Sequence, residues 1–230
     1  MSKRFKKMND GLSKDRLYTA EEAIRILKEK SAVKFDETLD AAIALGIDTK
    51  QSDQNVRGMV SLPNGTGKKA RVAVFAKGAK AEEAKAAGAD LVGEDDLIEK
   101  ILKGELNFDR AIATPDMMAS LGKAAKILGP KGLMPNPKLG TVTTDVKGAV
   151  AKAKAGQVEF RAEKSGIVHA GLGKLSFGEA KLAENFKAFL DAVIKAKPAS
   201  SKGVYLKKIC LSTTQGVGLK IDTAGVKGAG

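Results

Sequence analysis

The chain has 230 residues, 43% of them hydrophobic, and 40 lysines and arginines against 27 aspartates and glutamates give a formal charge of +13 and a pI near 9.7. That length and apolar fraction fit one large domain or two modest ones with buried cores, and the charge points to a polyanionic partner, nucleic acid first and an anionic membrane second, with a merely soluble basic protein as the plain alternative. A single cysteine, Cys210, excludes an internal disulfide framework and a cysteine-cluster zinc site, which fits a reducing compartment.

In chain order, the first segment is MSKRFKKMNDG, with cations at Lys3, Arg4, Lys6 and Lys7. It has no apolar core or cleavage site, so it does not read as a secretory signal. No long apolar run suggests a membrane span either, and the expectation is a cytoplasmic protein. The four cations read as a solvated, poorly ordered arm or as phosphate contacts. Thr19 followed by Glu22 makes a capping box, and Ala23, Ile24 and Leu27 form one stripe, which predicts a helix over 19–30. Leu39, Ala41, Ile43 and Leu45 alternate and predict a strand buried on one face. A second strand is expected over 56–62, and the turn-rich PNGTGKK that follows marks a domain boundary.

Beyond that boundary short apolar strands alternate with helices. RVAVFA at 71–76 reads as a strand, AKAEEAKAAG as a helix stopped by Gly88, and ADLVG as a strand. The rhythm continues with a helix over 95–102, a strand over 111–114, a helix over 116–128 and a helix over 145–155. Such alternation predicts a small parallel α/β sheet occupying residues 68–158. Between the last two helices lies ILGPKGLMPNPKLGTVT, where Pro130, Pro135 and Pro137, three of the six prolines, fall within eight residues. Prolines lacking a backbone donor and glycines at 129, 132 and 140 exclude a helix or a central strand. The segment is a firm loop carrying Lys131 and Lys138, and its residues leave open whether it is a functional loop or a tight crossover with solvated lysines.

The final third returns to longer, alternating strands, over 157–162 and 166–172. A helix over 177–196 carries Leu182, Phe186, Phe189, Leu190 and Val193 at helical spacing, with Pro198 past its end. Strands over 203–212 and 216–222 complete an antiparallel set, and AGVKGAG at the C-terminus is expected to be disordered. Residues 1–67 supply too few elements for a core of their own. Joined to 159–230 they make one α+β domain, and 68–158 becomes an insertion whose two chain crossings can act as a hinge. The excess of basic over acidic residues is +2 in 1–67, +5 in 68–158 and +6 in 159–230, so the discontinuous domain is the better phosphate-facing candidate.

The nucleotide-binding motifs do not complete, which leaves as alternatives a general basic nucleic-acid-binding protein and a small-molecule α/β enzyme with a pocket at the strand ends of the 68–158 sheet. GTGKK at 65–69 lacks the first glycine of a phosphate loop and precedes a strand, and GLGKLS at 171–176 has Leu175 where a magnesium-binding hydroxyl is needed. AKGAKAEE opens a helix after a strand but has one glycine, short of a dinucleotide fingerprint. His169 is the only histidine, which leaves no second imidazole for a triad or zinc site; it reads as a strand residue at a sheet end or as an RNA contact. No cofactor and no metal is expected, and no group of residues here performs catalysis. An aromatic fraction of 4% and no tryptophan argue against a single-strand stacking platform, whereas basic charge with hydroxyl- and glycine-rich strand ends suits a folded RNA read by backbone and 2′-hydroxyl contacts.

GPKGLMPNPKLGTV resembles the signature loop of the bacterial-type large-subunit ribosomal protein L-one family. So do KFDET at 34–38, LGID at 45–48, SDQNVRG at 52–58, SLPNGTGK at 61–68, EFRAEKSGIVHAGLGK at 159–174 and STTQG at 212–216, in the family's order. The resemblance implies a split βαβ domain with an antiparallel sheet, interrupted by a Rossmann-like, three-layer α/β domain. It implies a main RNA surface at Lys34, Phe35, Glu37 and Thr38 together with Thr213, Thr214 and Gly216. Neighbours are expected at Arg161, Lys164, Ser165, Gly166, His169 and Lys174. From the residues alone, a core aromatic is the lesser reading of Phe35, and solvated side chains are an alternative for the lysines. The family pattern of threonine, methionine, glycine has Gln215 in its middle position here, and Val217 stands where a small residue or proline is common. The implied partners are the large ribosomal subunit, the ribosomal RNA of a mobile stalk near the exit site, exit-site tRNA and the protein's own messenger RNA, with Lys131 and Lys138 as a second contact for either tRNA or further RNA. The free protein is expected to be a monomer with no membrane partner.

Overall fold

A computed structural model describes residues 3–13 and 15–223. The architecture is mixed α and β, and the chain falls into two compact units, Met1–Gly67 with Val158–Gly230, and Lys68–Gln157. The C-terminal AGVKGAG, residues 224–230, lies outside the described residues.

The first unit is built on a five-stranded sheet. Its strands are β1 (Leu17–Tyr18), β2 (Thr38–Leu45), β8 (Ile167–Lys174), β9 (Leu206–Thr213) and β10 (Gly218–Ile221), in the order β1-β10-β9-β2-β8. All pairs are antiparallel except β1 with β10. The alternation expected for 39–45 is realised residue by residue: Leu39, Ala41, Ile43 and Leu45 are buried, and the residues between them are partly exposed. Two helices cover that buried side. In α2 (Ala20–Lys30), Thr19 Oγ1 accepts from the Glu22 backbone N–H at 3.2 Å, satisfying a helix-end donor, and Ala23, Ile24 and Leu27 face inward. In α8 (Glu179–Lys195), Leu182, Phe186, Phe189, Leu190 and Val193 join the same core. A two-stranded ribbon of β3 (Arg57–Ser61) and β7 (Gln157–Arg161) adds Val60 and Phe160, whose ring meets Phe189 edge-on at 5.7 Å.

Asn185 is fully buried on α8 and is the one interior amide there. It donates to Gly65 O and Leu172 O and accepts from the Asn64 N–H, so the Pro63-Asn64-Gly65 turn is pinned to the helix. Buried polar atoms are tolerated when bonded in this way.

In the second unit, β4 (Val72–Phe75) lies between β5 (Leu91–Gly93) and β6 (Arg110–Ala113), all parallel. Both faces are covered. Val72, Val74 and Ile112 pack with Ala84 of α3 (Ala79–Ala86) and with Val146 and Val150 of α7 (Val146–Lys154). Ala73 and Phe75 pack on the other side with Ile98 and Ile101 of α4 (Asp95–Leu102), with Leu121 of α5 (Met118–Leu121) and with Leu128 of α6 (Ala125–Leu128). Continuous apolar strands are the consequence of burial on two faces.

Three expectations need correction. Residues 116–128 are not one helix: 3-10 turns at Pro115–Met117 and Gly122–Ala124 separate α5 from α6, since Gly122 has poor helix propensity and Ala124 leaves helical geometry at φ −91°, ψ 0°. Residues 3–9 are not an unstructured arm but a helix, α1 (Lys3–Asn9), anchored by buried Met8 and by Phe5 against the core. The return crossing between the units falls at 157–158, one residue earlier than the sequence reading placed it.

Replacing Asn185 by alanine leaves Gly65 O, Leu172 O and the Asn64 N–H without that partner, and is expected to lower stability by about 1–3 kcal/mol in urea unfolding. Burial pushes the Tyr205 phenol from 10.0 up to about 12 while its hydroxyl donates to Val193 O. The unfolded chain therefore releases this proton first, so the contribution is complete below pH 10 and is lost as pH rises to about 12. Tyr205→Phe is expected to unfold more easily at neutral pH but to show a shallower loss of urea midpoint across that alkaline window.

Candidate nucleic-acid interface

At one end of the five-stranded sheet, the segment entering β2 meets the turn between β9 and β10. The turn closes with Gly216 N–H donating to Thr213 O at 3.1 Å. Glu37 holds the two together. It is 1% exposed, and its carboxylate accepts from Ser31 Oγ at 2.5 Å and from the Gln215 N–H at 2.7 Å. Thr214 Oγ1 adds a second tie by accepting from the Thr38 N–H at 3.1 Å. Glu37 thus points inward and is a positioning residue for the turn; as a direct contact for a ligand it is corrected, because both of its oxygens are engaged inside the protein.

The remaining residues of this end divide in the same manner. Lys174 Nζ donates to Asp36 O and Thr38 Oγ1, each at 3.0 Å, so the ammonium staples the loop. Asp36 in turn accepts from the Ser176 N–H and hydroxyl. Lys34 is exposed and Phe35 is 48% exposed, which removes the core-aromatic reading. Thr213 is 5% exposed, and its hydroxyl is the one buried side-chain polar atom without a hydrogen-bond partner among the described residues. Gly216 lies directly over it: a Cβ at Gly216 would sit 2.0 Å from Thr213 Oγ1. No side chain fits there.

Arg161, Lys164, Ser165 and Gly166 are elsewhere. Arg161 ends β7 and the other three belong to the β7–β8 connection, where Gly166 accepts from the Leu45 N–H and Thr49 Oγ1 donates to Lys164 O. The register pairs Ala44 with Ile167 at that end and Thr38 with Lys174 at the other, so the two groups are separated by roughly 20 Å of strand. Between them runs the sheet face that α2 and α8 leave open. It carries small or polar residues, with Ala42 flanked by Cys210 and His169, and Asp40 by Ser212 and Gly171. His169 is exposed on this face, with Nε2 2.5 Å from Glu163 Oε1. Lys208 and Lys220 project from the same face.

Lys131 and Lys138 lie in the second unit, both exposed on the proline loop. That loop is held by its own hydrogen bonds. Asn136 Oδ1 caps a 3-10 turn at Pro137–Leu139, Gly140 adopts φ +66° to end it, and Thr141 Oγ1 accepts from the Asn136 N–H at 2.7 Å. The exit of the loop then pairs alongside β6 at Ala113 and Val142.

Sequence reasoning missed Ser31, Asp36 and Ser176 as supports and Arg4 as a neighbour of the turn. Arg4 Nη1 donates to Gln215 Oε1 at 2.7 Å across 211 positions of chain. Nothing local signals such a contact. For Glu37 a signal existed: it shares the odd-numbered parity of Leu39 to Leu45, all of which face the core.

A basic protein with an exposed lysine and an exposed phenylalanine in the segment entering β2, which Glu37 and Thr38 tie to a turn covering a buried, unpartnered hydroxyl, has the features of a folded-RNA binder. Residues 27–217 match the Ribosomal protein L1p/L10e family, and the chain belongs to that family. It is accordingly a ribosomal protein of the large subunit that binds ribosomal RNA and serves translation.

Glu37→Ala is expected to lose the hydrogen-exchange protection of the Gln215 amide and to cost about 1–3 kcal/mol in thermal unfolding. Glu37→Gln, which keeps an acceptor for that amide and can donate to Ser31, should restore most of both.

Proposed function

We propose that the protein binds the ribosomal RNA of a mobile stalk near the exit site and assists release of deacylated tRNA. It also represses translation of its own operon by binding a messenger that imitates the ribosomal site. In this reading the two compact units act as separate domains, and the crossings at 67–68 and 157–158 form the hinge of a moving part. The RNA surface starts at Lys34, Phe35, Thr38, Thr213, Thr214 and Gly216 and extends along the open sheet face through His169 to Arg161, Lys164, Ser165 and Gly166. Lys131 and Lys138 form a separate contact for tRNA or further RNA. The protein is not an enzyme, it acts in the cytoplasm, and it is a monomer when free.

The observation that carries this reading is the unpartnered Thr213 hydroxyl beneath Gly216. A buried hydroxyl without a partner costs about 1–3 kcal/mol, and a 2′-hydroxyl that reaches it as the Gly216 backbone gives way recovers that cost only in the complex. Flat, small side chains on the sheet face allow a sugar-phosphate surface to approach closely, and neighbouring cations supply the sequence-independent attraction.

The test measures equilibrium binding to stalk RNA, a scrambled stem and duplex DNA across a salt series. A preference for the stalk that persists at ~0.2 M salt supports shape recognition, whereas equal affinities that collapse together leave only a general basic nucleic-acid-binding protein. Thr213→Val should leave folding stability unchanged or raised, because an unsatisfied hydroxyl is removed, while weakening stalk binding by about tenfold. Gly216→Ala drives a Cβ into the Thr213 hydroxyl, displaces the turn and should weaken that binding further. Unchanged stalk affinity in both variants would sink the assignment of the site.

A further inference from the structure

Residues 3–9 are an unusual helix. Four of the seven side chains in α1 are cationic, there is no acidic residue in its first turn, and Lys3, Arg4, Lys6 and Lys7 place like charges three and four positions apart. Each such pair destabilises a helix by about 0.2–0.5 kcal/mol, and a helix this short does not persist by itself. Tertiary docking holds it instead. Met8 is buried, Phe5 packs on the first unit's core, and Lys30 Nζ donates to Asp10 O just past the helix end. With the apolar side so occupied, Lys3, Lys6 and Lys7 are exposed, and among the described residues no carboxylate is paired with them. The fourth cation is the exception: Arg4 reaches Gln215 Oε1 at 2.7 Å, and the Gln215 backbone is itself held by Glu37.

We propose that α1 is an additional phosphate-binding element of the RNA surface, held beside the Thr213–Gly216 turn by the Arg4–Gln215 hydrogen bond. The inference rests on the reading of that turn as RNA-facing and adds to it a basic surface outside the residues assigned above. Docking fixes where the cations stand before RNA arrives, so little ordering entropy is spent on binding. The mutual repulsion of Lys3, Lys6 and Lys7 is relieved once phosphates lie against them. Arg4 is the tether, and Gln215 supplies the acceptor that a methionine at this position would lack.

The experiment uses the full chain and a transcript of the stalk RNA. A Lys3→Gln, Lys6→Gln, Lys7→Gln triple variant is compared with the parent across a salt series, and melting temperature checks that folding is intact. The expected result is a slope of log affinity against log salt that is shallower by about two, with affinity reduced at least tenfold at low salt. The ratio of stalk to scrambled-stem affinity should change little, because phosphate contacts carry no sequence information. A second variant, Gln215→Leu, keeps every charge but removes the acceptor. It should shift the slope in the same direction by a smaller amount and expose α1 to faster trypsin cleavage. Unchanged slopes in the triple variant, in a preparation where Thr213→Val still weakens binding, would overturn the role of α1 and leave the turn's role standing. An unchanged slope and cleavage rate in Gln215→Leu would overturn the tether. If Thr213→Val and the triple variant are both without effect, the RNA surface itself is misplaced.

Discussion

Strand β2 pairs on both edges with strands that the chain reaches only after the whole second unit has been made. Thr38 aligns with Lys174 on one side, and Leu39 aligns with Thr213 on the other. Closing a loop of that length costs entropy, but the cost grows only logarithmically with length. The intervening residues also fold on two apolar clusters of their own, so they are not a slack tether that must be ordered by the first unit. The N-terminal strands find no other partners that could bury Leu39, Ala41, Ile43 and Leu45. Everything at the candidate interface follows from this pairing, because it is what brings residues 31–38 against the turn at 213–216.

Once the strands are paired, a buried carboxylate sets the local geometry. An inward-facing Glu37 without donors would carry a large desolvation cost. Two short hydrogen bonds offset it, one from nearby Ser31 and one from the Gln215 N–H, and the second links segments distant in sequence. The same economy is absent one residue pair away. Thr213 faces inward by strand parity and lies buried beneath the Gly216 backbone, yet its hydroxyl finds no partner among the described residues.

Much of the framework was legible from the chain. The capping threonine at 19, the two-residue alternation at 39–45, the helix at 95–102 and the stripe on 179–195 are local patterns, and each appears where its spacing places it. What failed were features without local cause. Strand β1 has two residues and exists only because β10 offers an edge. Helix α1 is electrostatically unfavourable as an isolated segment and forms through docking of Phe5 and Met8. Arg161 and Lys164 were expected as neighbours of the two strand regions at 34–38 and 213–216, whereas register places them at the far end of the sheet from Thr38 and Thr213, and nothing short of strand pairing defines that separation. Glu37 is the instructive case. Its chemistry suggested a ligand contact, and its parity with Leu39 had already fixed its direction.

The glutamine at 215 departs from the pattern of threonine, methionine and glycine that the segment otherwise follows, and the geometry explains why the turn can accept it. The turn is closed by Gly216 N–H to Thr213 O and fixed by Gln215 N–H to the Glu37 carboxylate and by Thr38 N–H to Thr214 Oγ1, so none of these bonds uses the side chain at 215. The side chain at 215 is exposed and takes no part in closure. Methionine and glutamine have unbranched stems of similar length, so either fills the same space; they differ in what the end of the stem can do. A thioether offers dispersion and little else, whereas the amide oxygen accepts from Arg4 and so connects the turn to a helix that would otherwise be joined to it only through the core. The substitution therefore leaves the shape of the turn unchanged and alters what stands next to it.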